Sequence, residues 1–344
     1  MEGIKVKNDK ELRLTSSELM NLWTQYLNDS AASQVLRYYL KHVEDEEVKN
    51  VLTKALKSTT SHVEFIEKLY KKEGIAKPIG FSENDIVMGA PRLFSDTFYI
   101  YYLLHLSTLG MAAGGVVIST SSRTDIVEFF RKVTQDAEDL HCLIKEVTKA
   151  KGIHNRPPYI PYPKEAVMVE DQDYLGSMFG KQRPINTIEL THIFTNIQTN
   201  TIGKTLMIGF SQVCHSDKLR SYILRGKDIA NKQVAIFRKL LETNDIPVPS
   251  PWDSAVTEST VAPFSDKLML FHITAMSAAG IGNYGAAMAA SPRKDIGLKY
   301  ARLLMEISLY AEDGANLMIE NGWLEQPPQV PDRNELASKS KGYE

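Results

Sequence analysis

Hydrophobic residues recur along most of the chain at the i, i+3, i+4, i+7 spacing of an amphipathic helix. The clearest stretch is 122–151, where Ile126, Phe129, Phe130, Val133, Ala137, Leu140, Ile144 and Val147 share one face. Residues 46–73 do the same with Val48, Leu52, Ala55, Leu56, Val63, Ile66 and Tyr70. No alternating strand pair with a hairpin turn is present. The pattern predicts helices at 15–42, 46–73, 95–119 and 122–151, then at 187–214, 217–243, 265–290 and 292–321.

These eight helices are one set of four written twice. A shift of 170 residues lays Phe94-Ser95-Asp96 on Phe264-Ser265-Asp266 and Gly110 on Gly280. It also lays Ser121–Ile126 on Ser291–Ile296 and Pro157-Pro-Tyr-Ile-Pro161 on Pro327-Pro-Gln-Val-Pro331. Upstream the shift is 171, and Glu18-Leu19 meets Glu189-Leu190 while Ile75 and Pro78 meet Ile246 and Pro249. Any two helical segments share Leu, Lys and Glu. Here the glycines, prolines and Ser-Asp pairs that punctuate helix ends coincide as well, which marks a duplicated unit.

Capping residues agree between the copies. Thr15-x-x-Glu18 and Asn186-x-x-Glu189 are capping boxes, so both glutamates are expected to serve helix starts. Ser95-Asp96 and Ser265-Asp266 place a hydroxyl at an N-cap and a carboxylate near the positive helix end. Ser291-Pro292 predicts proline at a first helical position. Gly74, Gly152 and Gly322 are expected helix stops.

Within each copy the first two helices, and the last two, are joined by few residues, which makes them antiparallel pairs. About twenty residues, Gly74–Phe94 and Asp245–Phe264, separate the second helix from the third. A connection that long can run the length of a bundle, as in ferritin-like folds. The expected fold is all-α: two tandem ferritin-like four-helix bundles, each with a long crossover between helices 2 and 3. Expected boundaries are 1–152 for the first bundle, 153–185 for a Pro/Tyr-rich linker, 186–323 for the second bundle and 324–344 for a Pro-rich segment and polar tail. The linker reads as a semi-rigid extended strap with docked tyrosines, or as a Pro-rich recognition peptide.

The duplication, the crossover and the Pro-Pro-x-x-Pro segment after each fourth helix give the chain its resemblance. Over residues 10–335 it resembles a family of uncharacterised tandem ferritin-like proteins of spore-forming Gram-positive bacteria, often labelled spore-coat-like. None of these features is a catalytic motif. The resemblance implies the fold and a spore-coat association, with self-association or other spore-coat proteins as partners.

The third helices carry no Asp, Glu, Lys or Arg between Asp96 and Arg123, nor between Lys267 and Arg293. Such runs meet the length criterion for a membrane span. His105, Ser107, Thr108, His272, Thr274 and Asn283 make poor lipid contacts, and the remaining helices are amphipathic, so burial in protein is expected instead of stable membrane insertion. Gly110 and Gly114, and Ala278, Gly282, Ala286 and Ala290, are spaced to let helices approach closely. That spacing fits packing of the third and seventh helices about a pseudo-two-fold axis, or close packing inside each bundle.

A ferritin-like bundle invites a search for a di-iron centre, built from two Glu and two Glu-x-x-His motifs facing inward. The candidate ligands for iron, manganese or zinc are His62, His105, Glu138 and His141, all in the first copy. Glu138-x-x-His141 has the motif's letters, but Glu138 falls roughly 140° from the apolar face of its helix and His141 roughly 80°. Thr59 stands where the partner of His62 should be a glutamate. A hydrogen-bonded polar layer of His62, Thr59, Tyr26 and Ser30 accounts for those residues without metal. In the second copy Gln233, Ala230, Ala275, Ser308 and Ala311 replace His62, Thr59, His105, Glu138 and His141. No cofactor is expected.

Composition narrows the remainder. At 43% hydrophobic and 24% charged the chain reads as a soluble globular protein, and its 344 residues suit about two domains. With 40 Lys+Arg against 42 Asp+Glu the net charge is -2, and no basic field favours nucleic acid. Cys142 and Cys214 cannot build a disulfide framework and read as helix-packing residues suited to a reducing compartment. Residues 1–10 carry charge where a signal peptide needs an apolar run, which predicts cytoplasmic synthesis, with deposition in the spore or its coat following from the resemblance. No phosphate loop, nucleophile elbow or His-Glu-x-x-His motif occurs; Gly203-Lys-Thr205 sits mid-helix without the upstream glycine. The expected function is a non-enzymatic structural or packaging protein. The alternatives are a metal-binding ferritin-like protein, in iron handling or as an oxidoreductase, with a degenerate site in the first bundle, and a binder of apolar small molecules between helices.

Overall fold

The structure, a computed structural model, describes residues 9–177, 182–248 and 255–339. Pro249, the counterpart of Pro78, and the ends at 1–8 and 340–344 lie outside the described residues, as do linker residues 178–181. The first copy contains α1 (Ser16–His42), α2 (Glu46–Glu73), α3 (Asp96–Thr120) and α4 (Thr124–Ala150). The second contains α5 (Thr187–Val213), α6 (Asp217–Glu242), α7 (Asp266–Ala290) and α8 (Lys294–Glu320), followed by the short α9 (Arg333–Lys339). The protein is all-α among the described residues, built as two tandem helical bundles.

Helix ends follow the capping chemistry. Glu18 is fully buried; its carboxylate accepts from Thr15 N (2.8 Å) and, across the bundle, from Ser122 N and Arg123 N (both 2.8 Å) at the start of α4. Glu189 does the same with Asn186 N (3.0 Å) and Arg293 N (3.0 Å). Each capping box therefore ties two helix starts together. Pro292 departs from expectation: α8 begins at Lys294 with Arg293 as its N-cap, because the Glu189 carboxylate already takes the Arg293 N–H. Gly74, Gly152 and Gly322 end their helices at φ 68°, 68° and 67°, the left-handed region glycine enters without penalty.

The crossovers join the copies. Ser95 N donates to Ala255 O (2.8 Å) and Ser265 N to Asp85 O (2.9 Å); Val87 N donates to Pro263 O (2.8 Å) and Thr257 N to Leu93 O (2.9 Å). The 170-residue shift turns each bond into its mate, so a pseudo-two-fold axis runs between the crossovers. Tyr102 and His272 are counterparts under the same shift and hydrogen-bond to each other at 2.7 Å. Around this axis lies one shared core, including Tyr39, Phe94, Phe98, Phe210, Phe264 and Leu268, with a separate smaller core at the far end of each copy.

Full burial of the charge-free helices is corrected by this arrangement. In α3 the run Phe98–Leu103 is buried at the axis, whereas Ala112, Ala113, Gly115 and Val116 are exposed; in α7 Ala278, Gly282, Ala286 and Ala289 are exposed. The axis covers only their first halves. Among the described residues α3 is the one helix long and apolar enough to cross a membrane. Gly110 and Gly114 act inside the first bundle: a Cβ on Gly114 would lie 2.1 Å from Thr134 Oγ1, and one on Gly110 3.1 Å from Ala137 Cβ, both on α4, whereas a Cβ on Gly282 would meet nothing within 4 Å. Of the linker tyrosines, Tyr159 and Tyr162 are exposed, whereas Tyr174 is docked, half-buried under Arg183 at 4.1 Å and accepting from Asn186 Nδ2 (3.3 Å).

Candidate functional site

Three elements of the first copy converge on His62. From α1, Asp29 Oδ2 lies 3.0 Å from His62 Nδ1; from α4, Asp136 Oδ2 lies 3.1 Å from Nε2. Gln25 Nε2 donates to the same Asp29 oxygen (2.7 Å), and Lys132 pairs with Asp136 at the surface. Burial pushes the His62 pKa down, but the bonds and charges of Asp29 and Asp136 outweigh it and raise the pKa above the usual histidine value. The reason is geometric: only the imidazolium can donate to both carboxylates at once.

The cluster forms one wall of a cavity of about 430 Å³. The remaining walls are mostly apolar, from Leu36, Leu106, Val133 and Leu140 of the first copy and Phe271, Ala275 and Met276 on α7. Tyr102 and His272 close the end nearest the axis. His272 accepts there from Tyr102 Oη, its Nδ1 facing Leu268 O (3.1 Å), and burial lowers its pKa to about 4.

The equivalent place in the second copy is filled. Its residual cavity is about 40 Å³ and is lined by Asn200, Gln233, Tyr284, Ile307 and Tyr310. These stand in the sequence at the places of Asp29, His62, Gly114, Ala137 and Leu140. Asn200 Nδ2 donates to Tyr284 Oη (2.7 Å), which donates to Gln233 Oε1 (2.7 Å). Tyr310 stacks on Tyr222 with ring centroids 4.3 Å apart. A neutral network and tyrosine rings thus occupy the volume that the first copy leaves open.

The four metal candidates do not converge. Glu138 is exposed, as its helical phase predicts. His141 Nδ1 lies 3.2 Å from Ser107 Oγ. His105 is buried with Nε2 unpartnered, its pKa lowered by burial to about 4, and it does not line the His62 cavity. His62 has a carboxylate on each nitrogen, on opposite sides of the ring, so the three groups cannot face one ion. Glu18 is committed to helix starts. This donor set does not fit a di-iron centre, and among the described residues no group of three or more His, Cys, Asp or Glu could hold a metal. Cys142 is exposed and Cys214 buried.

The polar layer exists, displaced by about one turn: Thr59 meets Ser33 (2.9 Å) and His62 meets Asp29, while Tyr26 donates to Glu67 (3.1 Å) and Ser30 accepts from Phe81 N (3.3 Å). Side chains lean toward the N-terminus of their own helix. Across an antiparallel pair, His62 therefore leans toward the α1–α2 turn and reaches a residue nearer that turn than Cα positions alone suggest. Asp29 and Asp136 are the residues sequence reasoning missed. Their signal was that positions 29/200, 62/233 and 136/306 read Asp/Asn, His/Gln and Asp/Glu, polar in both copies.

Fold and site define a duplicated all-α protein with one open and one filled bundle interior. The chain belongs to the family described as "Protein of unknown function (DUF3231)", whose sequence profile matches it twice, over residues 2–166 and 174–336. The two matches are the two copies. A crystal structure from Bacillus halodurans C-125, described as "a putative spore coat protein", aligns with a TM-score of 0.41 at 20% identity, over 45% of this chain and 100% of its own. A search of curated proteins finds no match.

Proposed function

We propose that this protein is a non-enzymatic scaffold whose first bundle binds one small apolar molecule with a cationic head. The observation that carries this reading is the cavity of about 430 Å³ in a place the second copy fills. That volume lies in the range of ligand pockets, about 300–1,000 Å³. Leu106, Val133, Leu140 and Phe271 would enclose the body of the ligand. Asp29, whose Oδ1 takes no hydrogen bond from the described residues, would meet the head. His62 holds a carboxylate on both nitrogens, so in this cavity it acts as a fixed wall and not as a general base.

The test is titration with octylamine, octanol and octanoate, followed by thermal shift and calorimetry. Octylamine binding tightest, and lost in Ala137→Ile, supports the reading; equal binding by that variant overturns it. Spore-coat association, through self-association or other coat proteins, is the further reading the sequence resemblance implies. Finding the protein in vegetative cytosol and not in spores would remove it. The iron-handling or oxidoreductase alternative is tested by elemental analysis of protein from its native host. Near-stoichiometric iron or manganese, lost on His62→Ala, would overturn the non-enzymatic reading.

A further inference from the structure

A second concavity, of about 500 Å³, lies where α4 ends and is lined by Lys145, Lys149, Gly152, His154 and Arg156. Four of these five residues are basic, and no carboxylate is among them. Neither lysine nor Arg156 forms an ion pair within the protein among the described residues; Arg156 lies over the ring of Tyr159 at 5.1 Å. His154 Nδ1 is held by Thr148 Oγ1 at 3.2 Å, which leaves Nε2 without a protein partner. The His154 pKa is lowered by burial and then by the charges of Lys149, Lys145 and Arg156, so the cluster repels its own protonation.

A cation in the last turn of a helix stabilises the negative end of the helix dipole, and that ordinary role could explain one lysine. It does not explain four. In the second copy the same turn, with the same glycine stop and following Pro-Pro segment, carries Ala315, Ile319, Leu324 and Gln326 in their places. The α8 helix ends with no basic residue in its last turn. The fold therefore does not require the cluster, and an anion from outside would relieve its mutual repulsion.

We propose that Lys145, Lys149, His154 and Arg156 form a binding site for a small, multiply charged phosphate compound. Arg156 supplies planar bidentate donors and the lysines supply point charges, the pairing that phosphate recognition favours. The site spans one helix turn and the turn after it, which suits one or two phosphate groups instead of a long polyanion; the net charge of -2 also disfavours nucleic acid. It lies apart from the His62 cavity and shares no lining residue with it.

The test is calorimetric titration of the full chain with inorganic pyrophosphate, with orthophosphate and phosphatidic-acid vesicles as parallel arms. Saturable one-to-one binding of pyrophosphate is expected, weaker for orthophosphate. Lys149→Ala with Arg156→Ala should weaken it by at least about tenfold, while Lys57→Ala with Arg131→Ala leaves it unchanged. The substituted side chains are exposed, and circular dichroism checks that the fold is retained. An NMR titration should show the His154 resonance moving with pyrophosphate and not His192. No binding up to about 10 mM, equal weakening in the control pair, or binding to the vesicles alone would overturn the proposal.

Discussion

Position 114 is a glycine packed against Thr134, and its counterpart Tyr284 is a fully buried ring bonded to Asn200 and Gln233. Ala137 and Leu140 face Ile307 and Tyr310 in the same way. Two bundles with matching capping boxes, paired crossovers and closely similar helix lengths thus differ at the middle of their interiors. In the second, aromatic rings and amides consume the space; in the first, small residues leave it open beside a histidine flanked by two aspartates. The comparison separates what the fold needs from what one copy adds. Paired features such as Glu18 and Glu189, Asp96 and Asp266, or Arg123 and Arg293 belong to the scaffold. Among the described residues, the cavity, the His62 cluster and the basic turn at Lys145–Arg156 occur once.

Opening the filled copy should have the largest effect. Tyr284→Ala removes a buried ring and leaves Gln233 Oε1 without a donor, and should cost about 4 kcal/mol by urea denaturation. A cost under about 1 kcal/mol would mean the second interior is not packed as described. Next comes the shared scaffold. Glu18→Ala leaves the buried Arg123 N–H without an acceptor and frees that of Ser122, and should cost about 3 kcal/mol; Glu189→Ala, which strips the bidentate Arg183 guanidinium as well as Arg293 N, should cost at least as much. A Glu189→Ala cost well below that of Glu18→Ala would break the equivalence of the two caps. The Glu18 carboxylate feels burial most, yet its four hydrogen bonds outweigh that and hold its pKa below the usual value. Its contribution is therefore present above the unfolded carboxylate pKa and lost as pH falls through the folded one.

His62→Gln, which installs the second copy's residue, should act through pH. The His62 pKa is raised on folding, so its stabilisation is complete below the unfolded value near 6.5 and fades as pH rises through the folded one. His105 and His272, lowered to about 4 by burial, do the opposite: stability falls as pH drops from about 6.5 toward 4. Melting temperatures should therefore show His62→Gln further below wild type at pH 5 than at pH 9, and a gap that widens with pH would contradict the two-carboxylate geometry. The smallest change in stability belongs to Ala137→Ile, within about 1.5 kcal/mol, because Ala137 lines the open cavity, into which the added carbons can extend. Its effect should be confined to octylamine binding.

Much of the fold was legible because it is written locally. Helix limits at 16–42, 46–73 and 124–150 follow from apolar spacing and from caps such as Thr15-x-x-Glu18 and Gly152, each of which acts within a few residues. Pro292 was misplaced because the group that decides where α8 starts, Glu189, lies about a hundred residues upstream. The site was legible only in part. His62 stood out as a polar residue on an apolar face, but its partners Asp29 and Asp136 come from two other helices, and the lean of side chains across the hairpin moved the register by a turn.

What the sequence by itself determined is the repeated unit: four helices, their stops and starts, and the long connection between the second and third, all consequences of local propensity and periodicity. The tertiary structure decided what those units enclose. Pairing of the two crossovers set the pseudo-two-fold axis, placed Tyr102 against His272 and left one face of the second halves of α3 and α7 exposed. It also brought α7 across the first bundle to close a cavity that no single repeat contains. Volume is a property of side chains from several helices at once, so the exchange of Ala137 and Leu140 for Ile307 and Tyr310 becomes an open or a filled interior only when the bundle is assembled.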